Sequence, residues 1–314
     1  MSFPASSSVI ADQTAMHAAI ALANTGWQIP PPGTLRSLFD VVFDWAIIYV
    51  AVWAEYRIGA YIMVLTILII GNRQRALGNL LHEASHRNLS VRRGANDWMA
   101  QIFLAPALLN DLTLYRLQHA RHHVWLGDPI RDPDYLPQSP HRHYRWFGAY
   151  AHMLRDPSTW IGSLFGHLAG KRLPLYRRLP IILWWTAFES VLYLLDGTHF
   201  ALLFLTIWII AKATVFHAIT TFREMNDHYG LESGGIFRHT RETPNLGLLS
   251  VLLHPHHNGY HLTHHLFPHV PYYHLPRTHA RLRQIPFFEQ LAIVCDDYVK
   301  GPNACVDGWG HDHG

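Results

Sequence analysis

Apolar positions along the chain fall into two pairs of long runs. The first pair is Leu35 to Tyr56 and Gly59 to about Leu81, with Arg57 at the bend; the second is Leu179 to Leu195 and His199 to Phe216, bent at Asp196-Gly197. Each pair predicts a helical hairpin. The runs approach the ~20 apolar residues that a spanning helix needs, although Asp44, Glu189 and Lys212 interrupt them. All but five of the 25 Lys and Arg residues, Arg36, Arg57, Arg73, Arg75 and Lys212, lie outside these runs and bends. That asymmetry favours spanning helices over buried helices of a soluble core, and with the bends outward the positive-inside rule puts both termini on the cytoplasmic side. The expected fold is all-α and integral to the membrane, with four transmembrane helices as two hairpins and a cytoplasmic helical cap. Along the chain this gives an N-terminal cytoplasmic helix with a Pro-rich linker (1–34), a membrane domain (35–285) and a cytoplasmic C-terminal tail (286–314).

Arg87 to Arg178, between the hairpins, is polar and aromatic. Within it Trp98 to Tyr115 is apolar but broken by Pro106 and Asn110-Asp111, which suits an interfacial segment or part of the cap better than a fifth span. Residues 161–178 set Phe165, Leu168 and Leu173 beside Lys171, Arg172, Arg177 and Arg178, and read either as a helix on lipid headgroups or as a solvated basic loop. The stretch to Ala23 is Ala-rich and helical in pattern, stopped by Pro30-Pro31-Pro32-Gly33, and carries no assigned chemistry.

Composition sharpens the picture. Charged residues make up 15% of the chain, below the ~25% of soluble domains, and 13% are Phe, Trp or Tyr, which excludes a disordered solvating protein. A net charge of +3 is too mild to argue for nucleic acid, so a membrane surface is the better partner. No basic n-region or apolar core opens the chain, so no secretory signal is read. Cys295 and Cys305 are the only cysteines, which excludes a disulfide scaffold or a thiolate metal site and points to a reducing compartment. The anomaly is histidine: 25 residues, as many as Lys and Arg combined, of the commonest metal-ligating type.

These histidines form three clusters: His82-Glu-Ala-Ser-His86, His119-Ala-Arg-His122-His123 and His261-Leu-Thr-His264-His265. On a helix, residues at i, i+3 and i+4 share a face, so each cluster can present two or three imidazoles to one point. Chance at this histidine frequency gives roughly 0.16 matches to His-x-x-His-His, and the chain has two.

The boxes, with Gly127-Asp128-Pro129, Asp132-Pro133-Asp134 and the run Asn258-Gly-Tyr-His261-Leu-Thr-His264-His265-Leu-Phe-Pro268-His-Val-Pro271, resemble the membrane fatty acid desaturase/hydroxylase family over roughly residues 35–285. The resemblance implies a non-haem di-iron centre on the cytoplasmic face of a four-helix membrane bundle. It implies nine ligands: His82, His86, His119, His122, His123, His261, His264, His265 and, in Arg223-Glu-Met-Asn-Asp-His228-Tyr-Gly, His228. Asn258, three residues before His261 on the same helical face, is expected to hold a metal-bound water or orient a ligand. His257, one turn before His261, is an outer-shell donor or a loop residue beside His254 and His256. A ligating imidazole usually donates its other N–H to a carboxylate or carbonyl, for which Asp128, Asp132 and Asp227 are candidates, with Glu83, Asp134 and Glu224. Each is also readable as a turn former or a solvated charge. Arg116 and Arg121 meet a substrate carboxylate or phosphate, or pair with nearby Asp residues. Trp184 and Trp185 line a substrate tunnel, or pack in lipid or core. His217, His239, His269, His274 and His279 read as cap or pocket residues, and His311 and His313 as a tail.

His82-Glu83-Ala-Ser-His86 also satisfies the zinc-protease pattern, so a zinc-dependent intramembrane metalloprotease is the reading from another class. It leaves both His-x-x-His-His boxes unexplained. Imidazole suits iron, copper, nickel or zinc alike, and the choice of iron comes from the resemblance. Two iron ions with O2 as co-substrate imply oxidation of an unactivated C–H bond in a fatty acyl or related lipid chain. Desaturation is expected first, with hydroxylation or oxidative decarboxylation to a terminal alkene as alternatives. The chain shows no haem-binding domain and no ferredoxin-like Cys cluster, so electrons are expected from an external donor such as ferredoxin and its reductase. The expected location is an inner or plasma membrane if the source is bacterial, with the active site cytoplasmic.

Overall fold

The computed structural model describes residues 7–23, 27–138, 145–170 and 173–310. Lys171, Arg172, His311 and His313 lie outside the described residues. Helices dominate: α1 (Ser7–Leu22), α2 (Thr34–Ile58), α3 (Met63–Ser85), α4 (Arg93–Met99), α5 (Leu112–Val124), α6 (Trp146–Arg155), α7 (Pro157–Phe165), α8 (Leu175–Ala211), α9 (His217–His228), α10 (Ile236–His239), α11 (Leu248–Leu253), α12 (His261–Leu266), α13 (Leu275–Leu282) and α14 (Pro286–Leu291). The strands β1 (Arg241–Glu242) and β2 (Ile293–Val294) pair in parallel. Two compact units interleave along the chain. An apolar unit is built from Gly33–Tyr115 and Leu154–Thr221, and a histidine unit from Met1–Pro32, Arg116–Met153 and Phe222–Gly314.

In the apolar unit the chain turns at Gly59, whose φ of 92° suits a residue without Cβ, and α3 returns along α2. The carboxylates that interrupt the first run are paired there: Asp44 with Arg73 at 2.8 Å, and Glu55 with the Thr66 hydroxyl at 3.0 Å. Pairing offsets the desolvation that would expel them from a buried helix face. The chain of α8 folds back at Gly197 (φ 85°), since Phe188 meets Phe204 at 5.2 Å and Trp185 meets Trp208 at 5.5 Å. In a straight helix the first of these pairs would stand about 24 Å apart. Gly71 of α3 marks a close approach within this unit, because a Cβ there would lie 2.5 Å from Val215 in the π-helical turn Lys212–Phe216.

Against the four spans expected, two helical segments among the described residues are long and apolar enough to cross a membrane, Thr34–Ile58 and Leu175–His228. The second half of α3 differs from a lipid-facing helix: Gln74, Arg75 and Asn79 are buried, with Arg75 bonded to Asn79 and Gln74 to the Trp208 carbonyl at 2.9 Å. No single helix covers 161–178. Gly166 (φ 51°) ends α7, where any Cβ would strike the Leu109 carbonyl at 2.8 Å, and Arg177 and Arg178 enter α8. Arg177 pairs with Asp111 at 2.7 Å, and Leu173 is buried, so neither lies on a free basic loop.

In the histidine unit α1 is tied to the elements around the third box. Its Asp12 carboxylate accepts the Ile236 amide at 2.6 Å at the start of α10, and Gln13 donates to the His265 carbonyl at 3.1 Å. Residues 286–310 are packed, since Phe288, Cys295, Cys305 and Trp309 are buried.

Candidate metal centre

The second box lies on α5 and the third on α12, and both have the same internal geometry. The i, i+4 rings stand 4.6 Å apart at 83° in His119–His123 and in His261–His265. The i, i+3 rings run nearly parallel, at 5.7 Å and 28° in His119–His122 and 5.8 Å and 19° in His261–His264. This is what 3.6 residues per turn imposes. The two boxes then exchange partners. His264 joins His119 and His123, whereas His122 joins His228, His261 and His265; in each group the ligand atoms lie within 4.8 Å of one another. The groups adjoin, with His123 stacked on His265 at 4.2 Å.

Nitrogen meets nitrogen in both groups. Nε2 of His123 is 3.0 Å from that of His119 and 3.1 Å from that of His264, while Nε2 of His261 is 3.0 Å from that of His228 and 3.1 Å from that of His265. Such contacts are hydrogen bonds only where one nitrogen carries a proton. In a neutral His228 ring Nε2 carries none, because Nδ1 donates to the His239 carbonyl at 2.7 Å. The Nδ1 of His122 is likewise held by Asp132 Oδ1 at 2.9 Å. Burial pushes the His265 pKa well below the usual imidazole range and so keeps that ring neutral. For His122 burial also acts downward, but the Asp132 carboxylate, aided by Asp134, outweighs it and the net shift is upward. Two nitrogens bound to one divalent cation at about 2.1 Å and a right angle stand about 3.0 Å apart. The donor set therefore fits cations better than it fits a metal-free network of neutral rings.

Asp132 makes the histidine–carboxylate contact expected from sequence. Its carboxylate also accepts the Gly127 and Asp134 amides, both at 2.9 Å. Asp227 is buried, 3.5 Å from His261 Nε2 and 2.7 Å from Arg223. Asp128 is instead a turn former: it accepts the Ile130 amide at 3.0 Å and the Arg131 amide at 2.9 Å, and pairs with the Arg131 side chain. The helical-face argument for His257 and Asn258 fails, because α12 begins at His261 and His256 and His257 have φ of 57° and 58°. His257 is exposed, whereas Asn258 is buried with an Oδ1 that has no hydrogen-bond partner among the described residues.

His82 and His86 stand in the apolar unit at the end of α3, with rings 5.2 Å apart. The helix stops between them: the Arg87 amide bonds the Ala84 carbonyl at 3.1 Å and the Asn88 amide bonds the Glu83 carbonyl at 3.0 Å. That Schellman turn places Arg87 at φ 66°, a position usually given to glycine. The Glu83 carboxylate accepts from the Asn88 side chain at 3.1 Å. Arg121 bonds the Arg131 carbonyl at 3.2 Å, and Arg116 is half-buried on α5. Trp184 and Trp185 donate to the Ile102 and Pro106 carbonyls at 2.7 and 3.0 Å, inside an aromatic cluster with Trp45, Phe188 and Trp208.

Two contributors escaped the sequence. The His239 carbonyl orients His228. Glu242 on β1, fully buried, accepts the Thr263 amide at 2.8 Å inside the third box and meets His279 Nδ1 at 2.8 Å, tying α12 to α13. Neither has a local signal, because a carbonyl looks the same in every residue and Glu242 acts across 21 positions.

The sequence model of the family described as fatty acid desaturase matches residues 59–295. The chain is 26% identical to the dihydrorhizobitoxine desaturase of Bradyrhizobium elkanii over 300 residues, covering 86% of this chain and 82% of that protein. It is 30% identical to a beta-carotene ketolase of Paracoccus sp. (strain PC1) over 182 residues, 58% of this chain and 61% of the relative. A shorter match, 29% identity over 92 residues, joins it to the sn-1 oleoyl-lipid 12-desaturase of Anabaena variabilis, covering 28% of this chain and 26% of that one.

Proposed function

The chain belongs to the fatty acid desaturase family, and on that premise we propose that this oxidoreductase takes two hydrogens from neighbouring carbons of a fatty acyl or related lipid chain. The balance is one –CH2–CH2– unit, one O2, two electrons and two protons giving one –CH=CH– unit and two waters. The observation that supports it best is the pair of adjoining, largely buried, nitrogen-only clusters. Iron at such sites supplies the electron-accepting chemistry that O2 activation needs and that zinc lacks. The proposed ligands are His119, His123 and His264, with His122, His228, His261 and His265, and His82 and His86 from α3.

Protein groups set the state of these ligands. Asp132 and the His239 carbonyl each hold an Nδ1 proton, so that His122 and His228 offer lone pairs at Nε2. Asn258, with its buried carboxamide oxygen, is proposed to hold a water at the second cluster. Four spans, both termini on the cytoplasmic side with the boxes, and an external one-electron carrier such as a ferredoxin complete the reading.

Oxygen insertion at a C–H bond is the second reading, favoured by the likeness to a ketolase over more than half of the chain. The protease reading loses its base, because the Glu83 carboxylate is engaged with Asn88 at the helix end. The test is the purified protein and its products. About two irons per chain, and a new double bond in lipids of cells making wild type but not His264→Ala, are expected. Stoichiometric zinc with activity retained, or turnover without O2, refutes the proposal, and a hydroxylated or keto product selects the second reading.

A further inference from the structure

The short helix α11, Leu-Leu-Ser-Val-Leu-Leu, is built inside out. Leu248, Leu249 and Val251 are 90%, 50% and 61% exposed, while its single polar residue, Ser250, is buried. A surface helix in water shows the opposite arrangement. The orientation is fixed by hydrogen bonds at both ends. The Ser250 hydroxyl takes the Leu246 amide at 2.7 Å and meets the Tyr298 hydroxyl at 2.9 Å, and that hydroxyl also meets His254 Nδ1 at 3.0 Å. Gly247, at φ 81°, turns the chain into the helix. From Thr243 to Pro276 the sequence holds no Asp, Glu, Lys or Arg, so no charge within this stretch opposes its immersion in an apolar phase.

We propose that α11 is seated in the lipid surface, with Leu248, Leu249 and Val251 in the edge of the hydrocarbon layer, and that it holds the third histidine box at the membrane. His261 follows Leu253 by only eight residues, and His254 between them is anchored to Tyr298. A second copy of the chain is a poorer occupant. These side chains offer on the order of a few hundred Å², against roughly 800 Å² per partner in a stable protein interface. Lipid accepts a small apolar face without shape matching.

The inference rests on membrane association and not on the reaction, so its test reads depth and not turnover. Leu248→Cys and Leu249→Cys carry a nitroxide spin label in protein held one chain per lipid nanodisc. Cys295 and Cys305 are buried and stay unlabelled. Lys300→Cys, at an exposed polar turn, serves as the aqueous reference. The expected ratio of accessibility to O2 over accessibility to a water-soluble nickel chelate is several-fold higher at 248 and 249 than at 300. Equal ratios at all three sites place α11 in water and overturn the proposal. Protection from both reagents means that protein covers the face, and overturns it equally.

Discussion

Removing Asp132 isolates the contribution of the groups behind the ligands. Its carboxylate is buried and has three donors: Oδ1 takes His122 Nδ1 and the Asp134 amide, and Oδ2 takes the Gly127 amide, each at 2.9 Å. In Asp132→Ala the His122 ring loses the acceptor that fixes its tautomer. Loss of such an outer partner typically lowers metal affinity by about 10- to 100-fold, or about 1.4–2.7 kcal/mol. The Gly127 amide, left buried without an acceptor, costs about 1–3 kcal/mol more in folding stability. Asp132→Asn separates the two effects. Its oxygen can keep both Oδ1 contacts, but its amide nitrogen faces the Gly127 N–H, donor against donor. The asparagine variant is therefore expected near the tenfold end for metal retention while matching alanine in lost stability. The assay is iron per chain by elemental analysis across a graded chelator series, beside thermal unfolding. Iron retention in Asp132→Ala within twofold of wild type would refute the reasoning, as would an asparagine variant that holds metal less well than the alanine one.

Three further outcomes follow from local geometry. Arg87→Gly should raise the unfolding free energy by about 0.5–1 kcal/mol in a denaturant titration, because a left-handed residue costs about 1–2 kcal/mol and the added freedom of unfolded glycine returns part of it. Gly230→Ala should lower the melting temperature by several degrees or prevent folding, since its Cβ would press on the Gly308 carbonyl at φ 76°. The third concerns His167, whose pKa burial pushes down to about 4 while Nδ1 accepts the Asp111 amide at 3.1 Å. Its neutral form belongs to the folded state, so the unfolded chain binds the extra proton between pH 6.5 and about 4. The stability is fully present above pH 6.5 and falls with acid by up to about 1.4 kcal/mol per unit. A His167→Gln variant should show a flatter stability profile across that window, and an unchanged slope would contradict the assignment.

What the sequence made legible is what repeats within a few residues. The i, i+3, i+4 grammar of the boxes carries straight into ring geometry, and the apolar runs carry into α2, α3 and α8. Asp132 was reachable because it acts on His122 from only ten residues away. The failures are positions where local grammar is interrupted. The run 161–178 breaks because Gly166 must pass close to three acceptor oxygens of 108–110, a steric fact with no hydropathy signature. His257 left the helical face because Pro255 and two left-handed histidines stop the helix before His261. Glu242 and α1 act across long sequence distances, and nothing in their own neighbourhoods marks them. Trp184 and Trp185 read as tunnel-lining or as packed in lipid or core, and the hydrogen bonds of their indole N–H groups to the Ile102 and Pro106 carbonyls have no sequence signature.

The exchange between boxes explains why each carries three histidines where a helical chelate needs two. A pair at i and i+4 closes on one point, as His119 with His123 and His261 with His265 do. The i+3 residue is rotated by about 100° from its i+4 neighbour, so its imidazole cannot converge on that same point and is free to reach another. With the two helices face to face, the only nearby point is the cluster of the other box, where His122 and His264 are found. In the proposed centre each box therefore supplies two ligands to one cluster and a single arm to the other. In the proposed centre, deleting His122 then removes a ligand from the group on α12 and not from the group of its own box. The two clusters share both helices, so neither helix can shift to relieve one without opening the other. In the proposed di-metal centre, that coupling would disfavour a singly filled site and favour filling the clusters together.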